Sequence, residues 1–398
     1  MFSTDYDVVV IGAGPAGCNT AALIAKKLYR VALVDRHPAE RKVPRCGCLV
    51  TPRVLELVEA SKSVVAKIRG AEVYSPKGKN VIIDGGKTKA VVLDRTRFDE
   101  DLIDSAMGNG AEHLSETTAK TAKRIGQRVE VTFEGDGKSW KVTCSILIGA
   151  DGAASRVADW FSLSQPKTIL LGCEQTMSGV LVDDTFVKLF LGRDFAPSFF
   201  GWIIPSGDVA KVGLCVDKGN VRSSLDKMMS KPPMKRLLDD AKPLTYSVGG
   251  IPIGFAKKTY TANVMTVGDA ACQVKATSGG GLFTGLLSST HCADTAIKAL
   301  EAEDFSAGSL QPYQQAWMND IGKELRKDLA IHEAFTRLSD KHMEEIFDLM
   351  NRPEILELIR RMGDIDFPSK VGWALLKEEP RLLKYAGKAL RATLARLN

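Results

Sequence analysis

The sequence predicts an α/β fold in which a strand–helix–strand domain is interrupted by a β-rich segment and followed by helices. A β-branched run at 6–11, a helical run at 19–28 and an apolar run at 30–34 form a βαβ unit of about 30 residues. Short strand-like runs then dominate about 165–250, and the pattern after about 305 is helical without strand signals.

Composition limits the class of protein. The 398 residues correspond to roughly two to three domains, and 44% apolar with 26% charged residues is typical of a soluble globular chain. Disordered, collagen-like and coiled-coil chains are excluded. No stretch approaches the ~18 apolar residues of a membrane-spanning helix, and the first residues lack the features of a signal peptide, so a cytoplasmic protein is expected. The net charge of +6 permits an anionic substrate or membrane surface and does not require nucleic acid.

The turn after the first strand carries a phosphate-binding pattern. Gly12, Gly14 and Gly17 form GxGxxG between a strand and a helix, and Asp35 ends the second strand. This context completes the dinucleotide-binding fingerprint. Gly12 allows the tight turn, Gly14 lets the backbone approach a pyrophosphate, and Gly17 lets helix and strand pack closely. The helix N-terminus supplies N–H groups to the phosphates, and Asp35 is expected to accept a hydrogen bond from a ribose hydroxyl.

Three further motifs follow along the chain. Arg95 opens RTRFD, Asp151 follows a strand in IGADGA, and Asp269 follows a strand in VGDAA. With the fingerprint, they resemble the FAD-dependent group of aromatic hydroxylases, flavin halogenases and geranylgeranyl reductases. The resemblance implies that Asp269 contacts the ribityl and pyrophosphate part of FAD, and that Arg95, Ala16 and Ala119 also contact the cofactor. It places Asp151 near the pyrophosphate, although a strand-end turn explains that motif equally well.

A glycine run opens the helix after Asp269. Glycines at 279–281 precede Leu282, and such a run lets the backbone lie flat beside a planar ligand. The helix N-terminus would stabilise the anion of a reduced flavin. The run is similar to the Pro-Thr-Ser/Thr-Gly-Gly-Gly stretch of archaeal geranylgeranyl reductases, with Ala276 in place of the usual proline. The resemblance implies that Gly280, Gly281 and Leu282 contact FAD. No second GxGxxG marks a separate nicotinamide-binding domain.

The FFGWIIP segment contains two aromatic residues with the spacing of one strand face. Phe200 and Trp202 would point to the same side and wall a long apolar cavity. The segment resembles the (Tyr/Phe)-x-Trp-x-x-Pro motif of geranylgeranyl reductases, whereas halogenases carry Trp where Phe200 stands. An ordinary hydrophobic strand core is the alternative.

Eight cysteines are spread along the chain without CxxC or metal-ligand spacing, so no metal site is predicted and most should be reduced thiols. The PRCGC segment resembles the Arg-Cys-Gly segment that lies across the flavin in geranylgeranyl reductases, which implies that Arg45, Cys46 and Cys48 contact FAD. A disulfide between Cys46 and Cys48 would be strained, which favours free thiols. Cys46 either donates a proton or gates the cavity, or it is a small packing residue.

The chain is thus identified as a member of the geranylgeranyl reductase family. The resemblance implies a para-hydroxybenzoate-hydroxylase-like fold and saturation of isolated double bonds in geranylgeranyl chains of archaeal membrane ether lipids. A hydride from N5 of reduced flavin then requires a nearly simultaneous proton and a site that excludes water. Cys46, Phe200 and Trp202 are the predicted catalytic residues, with Cys46 as the acid; a proton of the lipid phosphate or water is the alternative source. A ferredoxin or a reduced nicotinamide is the expected electron donor.

Two other functions remain open. An FAD-dependent aromatic monooxygenase or halogenase would use oxygen and a compact aromatic pocket, and Phe200 with the Arg-Cys-Gly segment favours the reductase. A prenyl-binding module that makes no catalytic use of flavin would not need Asp35, Asp269 and the glycine run.

The sequence predicts a discontinuous FAD-binding domain over 1–70, 95–160 and 250–300. A β-rich substrate domain is predicted over 71–94 and 161–249, and a helical region over 301–398. Residues 381–398 carry five basic and no acidic side chains, with leucines at helical spacing. This basic amphipathic helix would either rest on an anionic bilayer, as a peripheral membrane contact, or pack on the protein.

Overall fold

The computed structural model describes residues 4–38 and 46–385, which form three β-sheets and surrounding helices. The strands of this part of the chain are β1 (Thr4–Ile11), β2 (Val31–Val34), β3 (Leu49–Val50), β4 (Val64–Ile68), β5 (Gly70–Tyr74), β6 (Asn80–Asp84), β7 (Ala90–Leu93), β8 (Glu112–Leu114), β9 (Thr118–Ile125), β10 (Arg128–Gly135), β11 (Lys138–Gly149), β12 (Thr168–Ser178), β13 (Phe186–Phe190), β14 (Gly201–Ser206), β15 (Val209–Val216), β16 (Lys242–Ile253), β17 (Tyr260–Thr261) and β18 (Val264–Thr266). Its helices are α1 (Pro15–Ala25), α2 (Val54–Leu57), α3 (Arg95–Gly108), α4 (Arg156–Trp160), α5 (Val221–Met229), α6 (Pro232–Leu237), α7 (Leu282–Glu301), α8 (Ala307–Trp317), α9 (Lys323–Phe335), α10 (Asp340–Met350), α11 (Pro353–Met362) and α12 (Pro368–Glu378).

The first sheet is mostly parallel and gathers the sequence motifs at one edge. Its order is β17-β18-β11-β1-β2-β8, and β10 and β9 extend antiparallel from β11. Strands β1 and β2 pair in parallel and are rich in buried valines, as expected for strands covered on both faces. Because parallel strands end at the same edge, Gly12, Asp35, Asp151 and Asp269 follow strand ends on one side of the sheet.

The second sheet is largely antiparallel, with the order β16-β12-β15-β14-β13-β5-β6. Its long strands β12, β15 and β16 pair over most of their lengths, and α5 packs on one face. The opposite face carries Trp202 and Ile204, which contact the small three-stranded sheet β3-β7-β4. Phe200, expected inside a strand, directly precedes β14, which begins at Gly201.

The strand pairings bear on the predicted domain boundaries, which stay a prediction. Strands β5 and β6 join the second sheet, whereas β7 pairs with β3 and β4. The range 71–94, predicted as part of the substrate domain, therefore contributes strands to two sheets.

Helices cover the first sheet and continue to the end of the described chain. α1 and α7 pack side by side, and the Asn19 side chain donates a hydrogen bond to the hydroxyl of Ser289 at 2.8 Å. None of the helices within the described ranges combines the length and the apolar character needed to cross a bilayer. The predicted basic amphipathic helix lies largely outside the described residues, which end with a 3₁₀ turn over Pro380–Tyr385.

Candidate active site

The glycine turn after β1 is held by contacts that only glycine permits. Gly12 has φ +107°, and a Cβ there would lie 2.2 Å from the carbonyl oxygen of Ala150. A Cβ on Gly17 would lie 1.9 Å from the carbonyl oxygen of Gly12, so α1 sits directly on the turn. A Cβ on Gly14 would meet no atom within 4 Å. Gly12 and Gly17 thus fix the turn, while Gly14 faces open space at the start of α1.

Asp35 ties the glycine turn to the end of β2. Its carboxylate accepts hydrogen bonds from the backbone N–H groups of Ala13 and His37, each at 2.8 Å, and the side chain is buried. The expected ribose contact of Asp35 stays a prediction.

Asp269 and the glycine run lie at the adjoining strand end. Asp269 belongs to a short 3₁₀ turn, Gly268–Ala271, and a Cβ on Gly281 would lie 2.9 Å from its Oδ1. Burial and the nearby Cys46 sulfur raise the pKa of Asp269 to about 6, and Arg95 opposes them. The next helix, α7, begins at Leu282 without a side-chain cap, so its first N–H groups face the same region as Asp269.

The Ala16 side chain lies beneath this turn, since a Cβ on Gly268 would be 3.0 Å from the Ala16 Cβ. The two cofactor motifs, GxGxxG and VGDAA, therefore pack against each other through the small residues Ala16 and Gly268.

Arg95 brings a fixed positive charge to this region from α3. Asp94 caps the helix by accepting from the backbone N–H groups of Thr96 and Arg97. Arg95 Nε donates to Asp99 Oδ1 at 2.6 Å, one turn along the helix. Although burial opposes its charge, Asp99 and the two cysteine sulfurs raise the pKa of Arg95 well above its ordinary value. Arg95 thus remains a cation beside the cysteine pair.

Cys46 and Cys48 are neighbouring free thiols. The Cys48 backbone N–H donates to Cys46 Sγ at 3.3 Å. The hydrogen bond from the Cys48 thiol, together with Arg95 and Lys211, lowers the pKa of Cys46 although burial opposes it. Burial and the Cys46 sulfur raise the pKa of Cys48. The geometry therefore favours a Cys46 thiolate that Cys48 and two cations stabilise.

A buried carboxyl group, not predicted from the sequence, lies against the cysteine segment. Glu174 and Lys211, on neighbouring strands of the second sheet, are both buried. Lys211 Nζ donates to the carbonyl oxygen of Gly47 at 3.3 Å, and a Cβ on Gly47 would lie 3.2 Å from Glu174 Oε2. Trp202 Nε1 donates to the same oxygen at 3.0 Å.

Burial raises the pKa of Glu174 to about 7; Lys211 opposes this shift, the Cys46 sulfur adds to it, and Trp202 opposes it. The sequence does contain a signal for both residues, since each is the only charged residue of its strand.

The aromatic residues of FFGWIIP form one side of this region. Phe199 and Phe200 stack with ring centroids 4.3 Å apart, and Phe200 meets Trp202 edge-on at 6.3 Å. They pack with apolar residues of the second sheet and with Ala276 of the glycine loop. Gly279 has φ +68°, and a Cβ there would lie 2.7 Å from Ile251. The glycine loop therefore contacts the sheet that carries the aromatic residues, which agrees with an apolar wall.

The C-terminal helices hold the glycine loop from the other side. Lys275 Nζ donates to Asp366 Oδ1 at 2.9 Å and to the carbonyl oxygen of Ile365 at 2.8 Å, and both charged side chains are buried. The hydroxyl of Thr51 donates to the other oxygen of Asp366, as does Arg53 Nη1 at 3.2 Å. No motif in the sequence indicated this ion pair, which we call the Lys275–Asp366 clamp.

The remaining predicted residues make structural contacts or lie outside the described chain. Asp151 accepts from Ser155 Oγ at 2.6 Å and from the backbone of Arg156 at 2.7 Å, so it caps α4 and supports the fold. Ala119 is buried in β9, and its carbonyl oxygen accepts from Arg156 Nη1 at 3.2 Å. Arg45 lies outside the described residues. Cofactor contacts of Ala119 and Arg45 stay predictions.

The arrangement fits a flavin dinucleotide. The first turn of α1 has no side-chain cap, and the open side of Gly14 leaves its N–H groups accessible to an anion such as a pyrophosphate. Asp269, Gly281 and the start of α7 border the cysteine segment. A flat ring system held there would contact small residues and a helix N-terminus.

Comparisons with known proteins agree with this geometry. The sequence family described as FAD binding domain matches residues 5–196. A digeranylgeranylglycerophospholipid reductase of Methanocaldococcus jannaschii is 30% identical, over 96% of this chain and 97% of its own. A second protein of that name, from Methanopyrus kandleri, is also 30% identical, over 96% and 98%. An uncharacterised M. jannaschii protein is 33% identical, over 95% and 96%.

Solved structures share the fold at lower identity. A geranylgeranyl bacteriochlorophyll reductase-like protein of Thermoplasma acidophilum superposes with a TM-score of 0.85 at 22% identity, covering 96% of this chain and 98% of the other. The flavin-dependent brominase Bmp2 gives 0.73 at 17% identity, covering 95% and 100%. The predicted para-hydroxybenzoate-hydroxylase-like fold and the FAD cofactor are thereby confirmed. With the fingerprint, the FAD domain and full-length relatives in agreement, the chain belongs to the digeranylgeranylglycerophospholipid reductase family of FAD-dependent oxidoreductases.

Proposed function

We propose that this protein saturates isolated double bonds in the geranylgeranyl chains of membrane ether lipids. The observation that carries the proposal is that the FAD motifs and the aromatic residues meet at the cysteine segment. The cysteine segment has Arg95 of the FAD motifs on one side and Trp202 of the second sheet on the other, since a Cβ on Gly47 would lie 3.9 Å from Trp202 Nε1. The names of relatives aligned over nearly the full length supply the substrate class.

An isolated alkene lacks a carbonyl group to polarise it, so reduction needs a proton donor next to a hydride donor. The hydride would come from reduced FAD when it is bound at this site. Cys46 is the proposed proton donor: a thiol with a lowered pKa gives up its proton readily, and Arg95 and Lys211 stabilise the thiolate that remains. Phe200 and Trp202 line the apolar side and exclude water.

The cofactor-facing residues have distinct proposed roles. The uncapped start of α1 binds the pyrophosphate, and Asp35 orients the ribose. The start of α7 stabilises negative charge on the ring system. The electron donor is proposed to be a ferredoxin or a reduced nicotinamide, and the lipid is proposed to be reached by peripheral contact with the membrane.

The proposal is tested under anaerobic conditions. Purified protein is reduced with dithionite and mixed with digeranylgeranylglyceryl phospholipid, and lipid mass and flavin absorbance are read together. We expect flavin reoxidation with a gain of two hydrogens per double bond. A flavin that stays reduced with unchanged lipid, but that reoxidises with oxygen and an aromatic substrate, would instead support a monooxygenase. Flavin-free protein that binds the lipid would support a binding module.

A further inference from the structure

A thiol that donates a proton must be reprotonated after every turnover. The hydrogen bond from Cys48 and the neighbouring cations favour the thiolate of Cys46, so the proton that it donates has to be replaced from a nearby acid. Cys48 is a poor source, because burial and the adjacent Cys46 sulfur strengthen its hold on its own proton. The second sheet supplies a better candidate.

Glu174 is the carboxyl group placed against the cysteine segment. Its Oε2 is bonded to Trp202, and the residue after Cys46 lies so close that a Cβ on Gly47 would be 3.2 Å from that oxygen. Within the described parts of the chain Oε1 accepts no hydrogen bond, so it is available to carry a proton. Trp202 and Lys211, which also donates to Gly47, fix the carboxyl group and the cysteine segment relative to each other.

We propose that Glu174 returns the proton to Cys46 between turnovers, an inference that rests on the proposed function. The O–H bond of Glu174 breaks, an S–H bond forms on Cys46, and the carboxylate regains its proton from solvent. No electron moves in this step. Glu174 acts through Cys46 and is therefore a positioning and proton-supplying residue rather than one that contacts the lipid.

The electrostatic surroundings support this assignment. Glu174 faces Lys211 of β15 and Trp202 of β14, the Cys46 and Cys48 pair, and the thiol of Cys215, whose pKa burial raises. Arg95 and Asp269 lie beyond the cysteine pair. Burial and the Cys46 sulfur keep Glu174 protonated to near neutral pH.

The first test does not depend on turnover. Glutamate side chains of the flavin-loaded protein are labelled with carbon-13, and the infrared band of protonated carboxyl is followed with pH. We expect a band that disappears with a midpoint near pH 7, is absent in Glu174→Gln, and shifts to lower pH in Cys46→Ala because a negative neighbour is removed. A band that is unchanged in Glu174→Gln, or a midpoint that Cys46→Ala leaves in place, would overturn the inference.

The second test separates the first turnover from the following ones. In Glu174→Gln, which keeps an acceptor for Trp202, we expect a near-normal first flavin reoxidation by lipid and later turnovers slowed by about 100-fold. Glu174→Asp should restore part of the rate and shift the pH profile. Continued cycling of Glu174→Gln at the parent rate from pH 6 to 8 would refute the inference.

Glu72→Gln is the matched control. Glu72, on the second sheet, forms an ion pair with the buried Lys188. Although burial opposes the shift, its hydrogen-bond partners lower its pKa, so it stays ionised in this range. The parent pH profile should persist in this variant. If the parent protein does not saturate lipid at all, the proposed function fails. The shift of the Glu174 infrared midpoint in Cys46→Ala can still be measured, so the two failures are distinguishable.

Discussion

The Lys275–Asp366 clamp makes a strong prediction about how the C-terminal helices support the flavin site. Lys275 is 4% exposed and Asp366 2% exposed, so neither charge has water to replace its partner. Removing one partner of a buried pair usually costs about 3–5 kcal/mol because the other charge is left uncompensated. The loss in free energy of unfolding for Asp366→Asn should lie near the upper end of this range, since Lys275 would then retain only neutral acceptors such as the Ile365 carbonyl oxygen.

The loss in free energy of unfolding for Lys275→Met should lie near the lower end of that range. Asp366 would still accept from Arg53 and from the Thr51 hydroxyl. For 398 residues an unfolding entropy of about 2.1 cal/mol/K per residue gives roughly 0.8 kcal/mol/K, so these losses correspond to ~4–6 °C in Tm. Because Lys275 is part of the glycine loop, FAD affinity should fall as well.

The assay is thermal unfolding of the flavin-loaded protein, followed both by circular dichroism and by the rise of flavin fluorescence on release. Lys167→Met is the control, since Lys167 is 70% exposed in its pair with Glu333 and such a pair contributes only about 0–1 kcal/mol. If Lys275→Met lowers Tm no more than this control does, the clamp does not stabilise the loop.

Three further predictions concern the cofactor motifs. Gly14→Ala should leave the Tm of the apoprotein unchanged but weaken FAD binding in a fluorescence titration. Gly17→Ala should lower both the apoprotein Tm and the affinity for FAD, because its Cβ would meet the Gly12 carbonyl oxygen. Asp35→Asn should weaken FAD binding by about 10–100-fold, the effect of ~1.5–3 kcal/mol for hydrogen bonds to a charged group; unchanged affinity would contradict the ribose contact. Asp269→Asn should raise the apoprotein Tm at pH 8 and have little effect at pH 3.5. Burial raises the folded-state pKa of Asp269 to about 6. Its protonated side chain therefore contributes stability below the unfolded pKa, and this contribution is lost as the carboxyl group ionises with pH rising through 6. An apoprotein Tm difference that is the same at both pH values would contradict this reasoning.

The sequence was sufficient for features that are local in the chain. The glycine turn, the strand before it and the helix after it lie within one βαβ unit, where steric constraints are specific enough to predict the conformation. The position of Asp269 follows from the same logic, because parallel strands end at a common edge. The aromatic pair was predicted from strand alternation, although β14 begins one residue later than Phe200.

Features that depend on contacts between distant parts of the chain were missed. Glu174 and Lys211 become neighbours only through the antiparallel register of β12 and β15, which a single sequence does not specify. Lys275 and Asp366 are 91 residues apart, and neither belongs to a motif. A charged residue inside an apolar strand does indicate a buried partner, but it does not identify which residue that partner is.

The proton supply depends on both sheets. Arg95 and Asp269 reach the cysteine segment from the first sheet, and Glu174 and Lys211 reach it from the second. Cys46 is the group that both sides act on, because Arg95 and Lys211 each stabilise its thiolate. A flavin bound to the first sheet would therefore have a proton source only in the assembled fold, which links reduction chemistry to the closed, water-excluding arrangement that it requires.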